Sequence, residues 1–384
     1  DAKSVILRFA IATCPRYQVA RCCARKLFTF MRKYDVNQIG TIMQSEIAEI
    51  PAVLAKLADS PEQFSALSNL LKANEIRSVL VLARGTSDNA AHFLKYLIET
   101  NLGLPVGLTS PSSVTIYKSK LHFANTLVVA ISQSGQSTDL VEYADCAKRA
   151  GAKIISITND LNSPLAKLAD FSLDLMAGRE IAVAATKSYA AQLFSCLLLV
   201  NAWSQKFPDY KSVVAASEKL MASLASVRSA VAKCDRNNEI VVLGRGFSYP
   251  NAREAALKIQ ETSKISVQGL SIADYMHGPI SALTSKTQVF IMAPKNWPMD
   301  SNTLASLTND LTKIRAKSTQ IFWFGTSELA KPGETVIVGA DCENEIYASV
   351  VDSIILQTFA LEFARKNGLD PDSPEGLSKV TLTL

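Results

Sequence analysis

A chain of 384 residues, 48% hydrophobic and 20% charged, has room for two domains and a large core. The net charge of +5 is concentrated at one end: residues 1–34 carry eight Lys and Arg against one acid, so the rest is near neutral and a broad basic face for nucleic acid is excluded. Seven Cys without metal or disulfide spacing, and only three His (His92, His122, His277), exclude a disulfide framework and a His-built metal site.

A reducing, cytoplasmic setting with no metal, cofactor, nucleic-acid or membrane partner is therefore expected. The longest apolar helical stretch, residues 190–203, contains Gln192, Ser195 and Asn201 and is too short and polar to span a bilayer. In chain order, residues 1–43 form a basic extension, either a transit-peptide-like leader or an addition with no role in the fold. Apolar residues at helical spacing then predict a helix over 46–57 and another over 64–71. Strands are predicted at 77–83, 105–109, 126–132, 153–158 and 171–175, with helices at 88–100 and from 140 onward, and a helix start at Ser163-Pro164. A long helix over 186–205 closes this half. Strand–helix alternation of this kind argues for a doubly wound parallel sheet with helices on both faces.

The second half repeats the first. Glu239-Ile-Val-Val-Leu-Gly-Arg-Gly-Phe-Ser248 aligns with Ser78-Val-Leu-Val-Leu-Ala-Arg-Gly-Thr-Ser87 at an offset of 161. At the same offset, Thr287-Gln-Val-Phe-Ile-Met-Ala293 falls on Thr126-Leu-Val-Val-Ala-Ile-Ser132. The chain therefore reads as two tandem α/β domains, 44–210 and 211–370, followed by a tail, 371–384.

The copies differ where chemistry would sit. After its buried strand the first has Ser132-Gln-Ser-Gly-Gln-Ser137, a polar turn leading into a helix, where free N–H groups and the helix dipole favour an anion. With no Lys in the loop this is not a nucleotide P-loop, and a monophosphate held by neutral donors is expected. A serine-rich helix cap is the bland alternative; Gly85-Thr86-Ser87, a second such loop on the same sheet edge, favours the anion site. The second copy has Pro294-Lys295-Asn296-Trp297 there, a poor cradle, but carries Glu261 at a helix end and His277 before Gly278-Pro279. By residue type alone, these two read as a solvated carboxylate and a structural His. They also suit proton transfer between two sugar carbons and ring opening. Lys379 alone reads as a surface Lys, although a Lys can form a Schiff base with a carbonyl.

Together with Met43-Gln-Ser-Glu-Ile-Ala-Glu-Ile-Pro51, Glu180-Ile-Ala-Val-Ala-Ala-Thr-Lys187 and Gly244-Arg-Gly-Phe-Ser-Tyr-Pro250, these motifs make the chain from about Met43 onward resemble the sugar isomerase (SIS) family. The likeness is to the isomerase half of glucosamine-6-phosphate synthase and to SIS-type glucosamine-6-phosphate deaminases. It implies two SIS-type, flavodoxin-like domains. It also implies that Gly85, Thr86, Ser87, Ser132, Gln133, Ser134 and Ser137 hold a sugar phosphate and that Val183 lines the sugar. Glu261 would be the proton-transfer base, His277 the ring opener and Lys379 the carbonyl-side Lys. In the synthases the His comes from the neighbouring subunit, which implies a homodimer with a shared site. The family usually has Thr where Ser137 stands, and Ser where Ala185 stands.

A synthase also needs a glutaminase domain, for which about forty residues are too few. Hydrolytic deamination of an amino-sugar phosphate, most simply glucosamine 6-phosphate to fructose 6-phosphate and ammonia, is the expected activity. A phosphosugar isomerase, a fructosamine-phosphate deglycase and a sugar-phosphate-sensing regulator are the alternatives.

Overall fold

Two five-stranded sheets, parallel throughout, are built from β1 (Ser78–Leu82), β2 (Val106–Leu108), β3 (Thr126–Ile131), β4 (Lys153–Thr158) and β5 (Phe171–Asp174), and from β6 (Ile240–Gly244), β7 (Val267–Ser271), β8 (Gln288–Ala293), β9 (Gln320–Gly325) and β10 (Thr335–Val338). The computed structural model describes residues 39–379 apart from 74, 298, 299 and 327, so the basic leader up to residue 38 lies outside the described residues. The strand orders are β2-β1-β3-β4-β5 and β10-β9-β8-β6-β7, which is one order read from opposite edges. The internal repeat is therefore topological as well as textual.

The central strands explain the buried apolar runs in the sequence. Every residue of β3 and of β8 is buried, as expected of strands covered by helices on both faces. In the first sheet the strand order reverses between β1 and β3. A crevice opens there at the strand C-ends.

The helix after β1, Gly85–Leu102, and its counterpart after β6, Tyr249–Ser263, pack against each other. Lys187–Ser204 packs on the first and Ser353–Lys366 on the second. One apolar core, running from Met43 to Phe363, therefore lies between the two sheets and belongs to both halves. Smaller cores cover the outer faces, one around Phe123 and Tyr143 and one around Trp323. The shared core brings the Tyr249–Ser263 helix, with Glu261 near its end, up to the loops of the first sheet.

Several boundaries differ from the sequence expectation, and the single helix expected over 46–57 is two, Thr41–Ala48 and Ile50–Ala58, which meet at Glu49. Helix Thr41–Ala48 starts inside the stretch assigned to the leader, and Met43 is fully buried, so the fold takes in residues 39–43. This helix packs on Ser353–Lys366, tying the start of the body to its end. Helix Gly85–Leu102 starts three residues before the expected 88, because Arg84 takes extended backbone and acts as the cap residue. Gly85, Thr86 and Ser87 are thus a first helical turn and not a loop before one. The longest apolar helical stretch is also not 190–203. Residues 345–366 are long and apolar enough to cross a membrane, but they are mostly buried inside the fold as core.

Candidate active site

A cavity of about 340 Å³ opens where β1 and β3 end. That volume is within the range for a small-molecule site. Ten of the residues expected from sequence stand on its wall: Gly85, Thr86, Ser87, Ser132, Gln133, Ser134, Ser137, Val183, Glu261 and Lys379. Arg84, Glu180, Ala185, Lys258, Leu377 and Ser378 complete it. His277 does not line it. It is exposed, just past the short helix Ile272–Met276 that follows β7. A larger groove of about 750 Å³ lies at Gln44, Arg228, Glu362, Arg365 and Lys366, but its cations are already engaged. The Lys366 ammonium donates to the carbonyls of Val231, Ala232 and Cys234, and Arg365 donates to those of Ile39 and Gly40.

The hydroxyl loop after β3 is shaped by local hydrogen bonds to backbone N–H groups. Ser137 is the cap residue of helix Thr138–Arg149, yet its side chain makes no capping hydrogen bond. Ser132 Oγ accepts from the Gly135 N–H at 3.1 Å and Ser134 Oγ from the Gln136 N–H at 3.3 Å. Each hydroxyl retains its own proton to donate. Gly135 is required here. Its φ is +61°, and a Cβ would lie 2.1 Å from Ser163 Oγ. Ser87 is buried and accepts from the Gln192 side-chain amide at 2.9 Å.

Thr86 faces a different set of partners. Its hydroxyl donates to Glu254 Oε1 at 3.1 Å and accepts from Lys258 Nζ at 3.1 Å. Glu254 also accepts from the Asn89 amide at 2.7 Å. Lys258 is 1% exposed and completes the network by donating to Glu261; both stand in the cavity wall, and Glu254 lies behind them. Burial pushes the Glu254 carboxyl up. Burial also pushes the Lys258 ammonium down, but the flanking Glu254 and Glu261 carboxylates more than offset this and hold it above the ordinary lysine value. Glu261 therefore stands at the cavity face with the Lys258 ammonium beside it.

On the other wall, Lys379 donates to Glu180 Oε2 at 2.7 Å and to the Ala182 carbonyl at 2.7 Å. Glu180 is fully buried and also accepts from the Thr186 and Ser188 N–H groups and the Ser188 hydroxyl. Burial pushes its carboxyl up, but Lys379 and these donors outweigh burial and keep it below the usual range. The tail is stitched down near its start, where the Asp372 carboxylate accepts from the Ile42 and Met43 N–H groups and the Asp372 carbonyl from Val183 N–H.

Sequence reasoning did not single out Lys258, Glu254, Glu180 or Arg84. Glu254, Lys258 and Glu261 recur at i, i+4 and i+7 on an otherwise apolar helix face, which is a legible signal for an internal charge row. Glu180 and Lys379 are 199 residues apart, and nothing local announces their pairing. Arg84 also changes the expectation of purely neutral donors, because a guanidinium stands in the same wall as the serines.

This geometry can be set beside known proteins. The SIS domain model matches residues 73–202 and again 235–364. The chain belongs to the SIS domain family. It is 31% identical over 320 residues to the isomerizing glutamine–fructose-6-phosphate aminotransferase of Mycolicibacterium smegmatis, covering 79% of this chain and 50% of that protein. With the same enzyme of Aquifex aeolicus it shares 30% identity over 318 residues, covering 80% and 52%. The chain thus spans about half the length of these curated relatives. Among solved structures it superposes on a Silicibacter pomeroyi protein provisionally assigned as a phosphosugar isomerase, with a TM-score of 0.75, 28% identity, and 86% of this chain and 100% of that one covered. The glucosamine-6-phosphate deaminase of Thermotoga maritima shares the fold, with a TM-score of 0.69 and 21% identity over 89% of this SIS chain and all of that one.

Proposed function

We propose that this SIS protein carries out aldose–ketose chemistry on a phosphosugar, and that its reaction is the hydrolytic deamination of glucosamine 6-phosphate. The observation that carries the reading is the pairing, in one cavity, of hydroxyl-lined helix N-termini from the first half with the Glu261 carboxylate from the second. The first suits a phosphate. The second suits a proton that must leave one carbon and arrive at its neighbour.

In this reading Ser87, Ser132, Gln133, Ser134 and Ser137 grip the phosphate and Val183 lines the sugar. With the ring open, Glu261 takes the proton from C2 and returns it to C1. The ketimine left at C2 adds water and releases ammonia, giving fructose 6-phosphate. Lys379, ion-paired with Glu180, donates a hydrogen bond to a sugar oxygen; a Schiff base would require that pair to break first. His277 opens the ring from a neighbouring copy. Its exposure and its position off the wall of its own chain's cavity suit delivery across a homodimer interface.

The test is to incubate the protein with glucosamine 6-phosphate and measure ammonia and fructose 6-phosphate together. Equal amounts of both support deamination. Ketose without ammonia, from an aldose 6-phosphate only, supports a plain isomerase. Neither product between pH 6 and 9 overturns the reading.

A further inference from the structure

Arg84 carries the inference furthest. Its Nε donates to Asp139 Oδ2 at 2.9 Å, and Asp139 is 2% exposed in the first turn of the helix that the Ser132–Ser137 loop enters. The pair therefore ties the loop after β1 to the loop after β3. The other oxygen of Asp139 accepts from the Leu140 N–H. Among the described residues the two terminal nitrogens of Arg84 make no bond, and the half-exposed side chain stands in the cavity wall beside Ser132, Ser134 and Ser137.

The internal repeat supplies a built-in comparison. At the offset of 161, Arg84 falls on Arg245 and Asp139 on Asp300. There Asp300 caps its own helix, Ser301–Arg315, accepting from the Asn302 and Thr303 N–H groups and the Thr303 hydroxyl, with no hydrogen bond to Arg245 among the described residues. In the second half the carboxylate itself occupies the anion position at the helix start. In the first half Arg84 holds the carboxylate to one side, and its guanidinium fork stands in the cavity wall.

We propose that Arg84, oriented by Asp139, is a phosphate-binding residue of the cavity, which makes the anion subsite cationic and selective for the phosphate dianion. This rests on the phosphosugar reading above. A buried carboxylate next to a phosphate would repel it. The ion pair removes that repulsion, while the free N–H fork of Arg84 matches two phosphate oxygens.

Calorimetric titration with fructose 6-phosphate tests it, using the full chain, Arg84→Gln, and the double variant Arg84→Gln/Asp139→Asn. Arg84→Gln is expected to weaken binding about 10- to 100-fold and to flatten its salt dependence. The double variant should recover part of that loss, because the unpartnered carboxylate is gone, and remain weaker than the natural chain. It is also the variant that keeps its fold if Arg84→Gln does not. Binding by the double variant equal to that of the natural chain overturns the role of Arg84 and leaves the phosphosugar reading intact. A folded natural chain that binds no fructose 6-phosphate overturns both.

Discussion

Ser134 and Glu180 show how differently two polar side chains in one cavity wall can act. Ser134 touches the loop through one long acceptor bond and keeps its own proton to donate, and in the proposed function it donates to the phosphate. Ser134→Ala is expected to weaken phosphosugar binding about 10- to 100-fold while leaving turnover at saturation nearly unchanged, since a hydrogen bond to a charged group contributes about 1.5–3 kcal/mol. Steady-state kinetics separate the two effects. Glu180 is structural in the first instance. It gathers two backbone N–H groups, a hydroxyl and Lys379 into a buried cluster. Glu180→Gln leaves Lys379 without its counter-charge and should lower stability by about 2 kcal/mol in a denaturant titration, less than for a fully buried pair because Lys379 is partly exposed. Of these residues, the serines were legible in the sequence because short hydroxyl-rich turns after buried strands have a local pattern. Glu180 lies within a legible motif, but its partner lies at the far end of the chain.

At the scale of elements, the junction between helices Glu345–Val351 and Ser353–Lys366 carries a titration that the site does not use. Asp352 is fully buried between them and accepts from the Ala340 N–H at 2.7 Å. Burial raises its carboxyl from 3.8 to about 7, and that single hydrogen bond only partly opposes the rise. Burial alone raises Glu345 to about 7. A carboxyl raised in the folded state favours folding while protonated. Its contribution is complete below about pH 4 and is lost as the pH rises to about 7, because the unfolded chain releases the proton first. Asp352→Asn keeps the acceptor for Ala340 and removes the titration. The variant should show a flatter decline in stability between pH 4 and 7, by a few kcal/mol, than the natural chain in unfolding curves taken across that range. No sequence pattern marks this residue. An Asp inside a long apolar helical stretch reads as a helix interruption, and only packing shows that it is buried.

At the scale of the whole molecule, the duplication was readable because two buried strands and two Arg-Gly-x-Ser turns recur at one fixed offset, and the strand orders confirm it. What the repeat does not reveal is that the copies share one core. That packing brings the Glu254–Lys258–Glu261 row to the loops of the other half. Periodicity reports which face of a helix is buried but not what buries it. His277 is a related case: it was expected in the site, yet in one chain it is exposed and off the cavity wall. If a second copy supplies it, Glu261→Gln and His277→Ala are each inactive alone. Dissociated and reassembled together in equal amounts, they should recover about a quarter of full activity, because half of the dimers would be mixed and each mixed dimer has one intact site of two. No recovery, with mixed dimers demonstrated, would place His277 outside the chemistry.

In the proposed reaction Glu261 moves a proton along a phosphosugar held by the hydroxyl loops. Fructose 6-phosphate incubated with the protein in deuterium oxide and followed by proton NMR tests this most directly. Exchange of a C1 hydrogen is expected with the natural chain, and at least about a hundredfold slower exchange with Glu261→Gln at undiminished affinity. Full-rate exchange by Glu261→Gln would contradict it.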